Sequence, residues 1–452
     1  MRPRTVGLVG AVLLLGGAVT AVMITGHRPD WTTSSSEALA EFELGQDALQ
    51  KIYTADARAH FARALQLDPG FVVAKLFLAR CLDLQPSDTR VDEIVDELRR
   101  ADLSKLGPRE QFLIRYAVAD HSKETVKEQE ILDSYLAKAP DDPFALEIQA
   151  NVAVGRQDWT DAQSIYRHLM KVDPNRVSAY NELGYLAMAQ GRFGEAEKMF
   201  QTYRYIAPEQ ANPHDSLGEL FTLIGRYPEA EKEFNDALRI KPDFCATFRH
   251  LVALYQLSDR DAEASATYSR MRQAGACGEY PTKATACGIA EWPSVRIHDW
   301  EAVWKAASVN CPADLAGENP IAMTAAIATG RRKDAEDLLE RVKAEVAKLP
   351  ASEQSRQSLE GAELHMEGVL LLAGGKPVEA ADRFLAADKM MTYRELGSGL
   401  LKMLNGVYRA NALQRAGERE QAAKVIAGLR EVNSAFVAEC ARMLNVTLPS
   451  PS

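Results

Sequence analysis

Small and bulky apolar residues recur along this chain with a period of 34, and their local spacing is that of helices. Prolines stand at 140, 174, 208 and 242. Ahead of the last three the same series repeats: Ala162, Tyr166, Leu169, Pro174; Ala196, Phe200, Tyr203, Pro208; Ala230, Phe234, Ala237, Pro242. Steps of three and four place each apolar set on one helical face. Upstream come Leu183-Gly184 and Leu217-Gly218, then Gly191 and Gly225, then an aromatic at Trp159, Phe193 and Tyr227. The unit predicts two antiparallel helices. Gly184, Ala196, Gly218 and Ala230 let the two backbones approach closely, while Gly191 and Gly225 suit the left-handed conformation that ends a helix. Pro208 and Pro242 stop the second helix. One such hairpin cannot bury its own apolar face, so neighbours must stack.

These residues resemble the anchors of the tetratricopeptide repeat, most specifically between 143 and 242. The resemblance implies an all-α fold, a right-handed α-α superhelix of helical hairpins. An array is expected over 38–273, with its clearest units at 143–176, 177–210 and 211–244. Leu44-Gly45, Ala57, Phe61, Ala64 and Pro69 form an early unit. The period is disturbed from Phe71 to Pro140, where Gly107-Pro108 opens a helix through Phe112 and Tyr116 and another is expected over 123–138. A weaker unit follows Pro242. The stretch 274–320 concentrates Gly, Pro, three of the five Trp and the cysteines Cys277, Cys287 and Cys311, and reads as an irregular break with one helix near Trp300 to Ala307. The spacing then returns at Gly330 and Ala335, at Gly368, Gly375, Ala380, Phe384 and Ala387, and at Gly417, Ala422 and Ile426, predicting a second array over 321–436 and a tail over 437–452.

The N-terminus has a different pattern. After a flank of residues 1–4 holding Arg2 and Arg4, the 22 residues Thr5 to Gly26 carry no charge. A helix of that length spans roughly 33 Å, enough for a bilayer core of about 30 Å. The preceding positive charge favours an N-in, C-out transmembrane helix. The alternative is a cleaved secretory signal, with small residues in Val19-Thr20-Ala21 before the cut. Either places the array outside the cytoplasm, periplasmic in a bacterial envelope, or secreted if cleaved. Residues 27–37 read as a polar tether.

Composition then narrows the function. The chain has 452 residues, 46% hydrophobic and 26% charged, so it is ordered and globular. A net charge of −10 excludes a nucleic-acid backbone as the main partner. No P-loop, HExxH, GxSxG, CxxC or strand-following GxGxxG is present, the eight His are scattered, and no cofactor or metal is expected. The reading is a non-enzymatic scaffold. The alternative is an accessory or regulatory subunit of an envelope enzyme, or an enzyme with its site in 275–320. Cys81, Cys245 and Cys440 lie in apolar helical surroundings and read as small buried hydrophobes. Cys277 and Cys287, across a short Gly/Pro loop, either form a disulfide in an oxidising compartment or stay free thiols.

The resemblance implies a concave face that binds protein or peptide segments through the first helix of each hairpin. By phase, that face carries Glu147, Asn151, Asn181, Tyr185, Asp215, Glu219 and Arg249. Glu147, Asp215 and Glu219 would repel a carboxylate, so an exposed face of this kind is expected to take basic or neutral segments, with the Asn side chains bonding to backbone.

Overall fold

The computed structural model describes residues 31–82, 90–310, 320–349 and 354–448. Among them lie 22 α-helices, one 3-10 turn and no strand. The helices pair in sequence as antiparallel hairpins, each second helix packed back on the first. The sequence-legible units are the hairpins Pro143–Gly155 with Trp159–Val172, Ser178–Ala189 with Phe193–Ile206, and Asn212–Leu223 with Tyr227–Ile240. The disturbed stretch holds Val72–Leu82 with Arg90–Arg100, and Pro108–His121 with Thr125–Leu136. Residues 5–26 lie outside the described residues, among which no helix is long and apolar enough to cross a membrane.

One glycine–phenylalanine contact builds four of the hairpins. Gly45, Gly184, Gly218 and Gly368 each face the ring of a Phe sixteen residues later, Phe61, Phe200, Phe234 and Phe384. A Cβ at Gly45, Gly218 or Gly368 would stand 2.6, 2.5 and 2.5 Å from that ring, and one at Gly184 would run into Phe200. All four rings are fully buried. The turns between paired helices are left-handed, with φ from 70° to 91° at Gly191, Gly225, Gly330, Gly375 and Gly417. At five other turns Ile52, Lys123, Gln157, Asp259 and His298 take the same region.

Three sequence expectations are corrected. Within the stretch expected as an irregular break, residues 279–310 are regular: Glu279–Arg296 and Trp300–Asn310 form a further hairpin, and 311–319 lie outside the described residues. Pro281 sits in the first turn, where a missing N–H has no intrahelical partner to lose, and Pro293 sits three residues before the end. The C-terminal tail begins later than position 437, because Arg419–Met443 continues through it and buries Val437 and Cys440. Finally, Cys277 does not pair with Cys287. It bonds Cys245, with a Cα–Cα distance of 5.0 Å. The cause is topology: Cys245 opens the helix Cys245–Leu257 and Cys277 follows Asp261–Gln273, so the antiparallel return brings them together, whereas Cys287 lies two turns inside a helix. Cys245 is therefore not a free hydrophobe, and Cys287 is also disulfide-bonded. Cys81 and Cys440 are buried free thiols.

The arrays are not separate bodies. One apolar core runs from Ala187 through Phe234, Phe248 and Val303 to Phe384, Val407 and Met443. The chain also coils back on itself. Asn433 interrupts the last helix with φ −153° and ψ 93°. Its Nδ2 donates to the carbonyls of Thr222 and Leu223 at 3.3 and 3.1 Å, at the C-terminal end of Asn212–Leu223, while its Oδ1 accepts from the Phe436 N–H. At the other end the Tyr53 hydroxyl accepts from the Ala211 N–H at 3.0 Å, and Lys241 pairs with Asp56 at 3.0 Å.

Candidate functional site

The residues assigned by phase to the concave face fall into three groups. Glu147 is held by Arg176 at 2.7 Å, and Asn151 accepts from the Tyr166 hydroxyl at 2.8 Å. Asn181, Tyr185 and Glu219 are joined by hydrogen bonds through Ser216, and Asp215 lies beside them with His250, whose charge acts on both carboxylates. Ser216 donates to Asn181 at 2.8 Å, Tyr185 donates to Glu219 at 2.7 Å, and Thr247 donates to Asp215 at 2.8 Å. His250 Nδ1 lies 3.2 Å from Asp215. Arg249 stands apart and exposed.

The expectation that Asp215 and Glu219 are exposed is wrong. They are 2% and 3% exposed: Thr247 and His250 face Asp215, and the start of the helix Leu396–Arg415 lies on Glu219. Tyr393 packs edge-on against Phe193, and Arg394 bonds Glu182 at 2.8 Å while standing over the Tyr185 ring. The Leu396 N–H donates to Glu219 at 2.6 Å. The chain's own backbone thus covers Glu219, while its Arg394 pairs with Glu182 and not with Glu147, Asp215 or Glu219. A contact spanning 177 positions left no trace in the repeat pattern.

Burial sets the electrostatics there. It raises the Glu219 carboxyl, an effect partly offset by His250, and raises the Tyr185 phenol well above its usual range. On His250 burial acts downward, but Asp215 and then Glu219 outweigh it and carry the imidazole up to about 9. The cluster therefore holds a cation between two carboxylates. Chemically it resembles an acid–base pair, yet it is roofed by the C-terminal arm.

A second cluster brings His214, Glu233 and Asp236 within 4.8 Å of one another. Glu233 accepts from His214 at 2.7 Å and pairs with Arg204; Asp236 pairs with Lys232 at 3.0 Å and Arg239 at 3.3 Å. Those cations already balance the carboxylates and oppose a metal ion.

What stays open is a lumen of about 1010 Å³ between the arms. Its walls come from first helices of hairpins in both arms: Val154; Arg249, Ala253 and Gln256; Leu359 and Ala362; Leu400, Leu401 and Leu404. The loop Met390–Arg394, Trp159, Trp292, Phe436 and Met443 complete it. It is at the upper end of the size of ligand sites, about 300 to 1,000 Å³.

The tetratricopeptide repeat family profile matches residues 175–243. The hairpins over 178–206 and 212–240 are tetratricopeptide repeats. No curated protein sequence matches the chain. Among solved structures, a tetratricopeptide repeat protein from Parabacteroides merdae ATCC 43184 is 15% identical, with 55% of this chain and 93% of that one covered and a TM-score of 0.39. MamA 41-end from Desulfovibrio magneticus RS-1 is 14% identical, covering 37% and 95%, with a TM-score of 0.31. The pilF protein of Pseudomonas aeruginosa is 13% identical, covering 55% and 96%, with a TM-score of 0.31.

Set against the tetratricopeptide phase, only Arg249 of the seven concave-face positions lines the lumen. The phase missed Gln157, Gln256 and Gln357, which do line it. Gln157 had one local signal, its position at the turn where the neighbouring repeats place glycine.

Proposed function

We propose that this protein is a non-enzymatic interaction scaffold, held by residues 5–26 at the outer side of a membrane, which receives a polypeptide segment in the lumen between its two arms. The lumen carries this reading: it is walled by first helices from several hairpins, apolar over most of its surface, and large enough for a chain segment. The Cys245–Cys277 disulfide supports an oxidising compartment, since such bonds rarely persist among reduced cytosolic thiols. Affinity capture from detergent-solubilised membranes tests it, comparing the native chain with Leu401→Trp, which fills the lumen from a half-buried position. The variant should keep its helical content and lose the partner. A partner retained at full yield would move the docking surface elsewhere. Retention of residues 5–26 in the mature, carbonate-resistant membrane protein tests the tether; a mature N-terminus at Val22 would replace it with secretion.

A further inference from the structure

We propose that a second cavity, in the C-terminal arm, binds a small amphiphilic carboxylate, an apolar or aromatic body ending in one carboxylate group. The proposal stands apart from what the lumen receives.

The cavity has a volume of about 460 Å³, within the range of small-molecule sites, about 300 to 1,000 Å³, and less than half that of the lumen, with which it shares only Met443. Three first helices of hairpins wall it. On Leu396–Arg415, steps of three and four residues place Tyr408, Asn411 and Arg415 on the face toward it. Val369 and Leu372 come from Gln354–Ala373, and Thr324 and Ile327 from Pro320–Ala328. Trp300 closes one side. His298 Nε2 lies 2.8 Å from the Arg442 carbonyl, a contact that holds the following residues, Met443 to Asn445, along the rim.

Polarity rises from floor to mouth. At the floor Val369, Leu372 and Tyr408 are buried, and the hydroxyls of Thr324 and Tyr408 bond each other at 2.7 Å. Such a floor suits an apolar or aromatic body. At the mouth Asn411 is half-buried and Arg415 exposed, and neither has a hydrogen-bond or ion-pair partner among the described residues. No Asp or Glu is among the described residues that line the cavity. The acidic side chains nearest to Arg415 and Trp300 in sequence are engaged elsewhere: Glu418 accepts from Gln421 at 3.1 Å, Glu420 pairs with Lys424 at 2.9 Å, Asp299 accepts from the Ala302 N–H at 3.1 Å, and Glu301 pairs with Arg331 at 2.9 Å. The Arg415 guanidinium offers a planar fork that matches a carboxylate, and Asn411, one turn earlier, adds an amide donor. One cation balances one negative charge, which favours a carboxylate over a dianionic phosphate. The ligand therefore lies with its body on the floor and its carboxylate at the mouth.

Calorimetric titration of the purified full chain at low salt compares phenylpropionate with phenylpropionamide and phenylpropylamine, which keep the body and change the head. The carboxylate should bind roughly tenfold more tightly than the amide, and the amine most weakly. Arg415→Gln, at an exposed position, should bring the carboxylate down to the affinity of the amide. Ala373→Trp, which fills the cavity from an exposed lining position, should abolish binding of both with helical content unchanged, and Leu401→Trp, in the lumen, should leave all affinities as they were. No binding, equal affinities for carboxylate and amide, a preference that survives Arg415→Gln, or binding that Ala373→Trp leaves intact overturns the proposal. Binding lost with Leu401→Trp also overturns it, by moving the ligand to the lumen, and a peptide with a C-terminal Phe that binds more tightly than phenylpropionate and displaces it overturns the small-molecule class.

Discussion

The residue three positions before the helix-crossing glycine is Asp215 in the middle of the chain and His365 near its end, and both are almost fully buried. Their surroundings are opposite. Asp215 faces Thr247 and a His250 carried up to about 9, so the site is ionic. His365 lies 5.5 and 5.1 Å from the rings of Phe384 and Tyr408, with Asn405 Oδ1 at 3.0 Å from its Nδ1, and burial lowers it to about 4. Its Nε2 has no hydrogen-bond partner among the described residues. One repeat position thus holds a charge where partners arrive from other hairpins and stays neutral where rings close around it.

Removing the cation from the ionic site should have the largest effect. His250→Ala leaves Asp215 and Glu219 buried without it, a loss expected to cost about 3 to 5 kcal/mol in denaturant unfolding at neutral pH. A cost under 1 kcal/mol would show that the site is not ionic. Next comes the staple on the same hairpin. Replacing Cys245 and Cys277 with Ser opens a 32-residue separation and should cost about 2 to 4 kcal/mol, whereas the buried free thiol Cys440 should resist alkylation until global unfolding.

A smaller effect distinguishes the two sites by the direction of their pH dependence. The folded value of His250 lies above the unfolded value of about 6.5, so its contribution is complete below that pH and is lost as pH rises through about 9. For His365 the folded value lies below the unfolded one, so stability falls as pH drops from about 6.5 through about 4. Melting temperature should therefore peak near neutrality. His365→Phe should change stability at pH 7 by only about 1 kcal/mol and flatten the acid limb alone; an unchanged acid limb would show that His365 is not held neutral. Smallest of all, Glu229→Ala removes an exposed pair with Arg226 and should stay within about 0.5 kcal/mol.

The hairpins were legible because their determinants are local. A glycine opposite a phenylalanine sixteen residues on and a glycine at the turn are short-range requirements of two helices crossing, and they recur wherever the crossing recurs. Where Pro and Gly were read as breakers, the reading failed over 279–310 because tolerance depends on position within a helical turn. The same phase assigned seven residues to a concave face; three of them, Asn181, Tyr185 and Glu219, share a hydrogen-bond network with Asp215 beside it. Whether that network faces solvent or the chain's own arm was decided by Leu396, Arg394 and Asn433, whose partners lie some 177 to 212 positions away. Sequence alone determined that this chain is a stack of helical hairpins, because each hairpin is specified within about 34 residues. Only the tertiary structure decided which inner surface stays open and which cysteine Cys277 meets, because those depend on how the hairpins pack and on how far the stack curls before its ends meet.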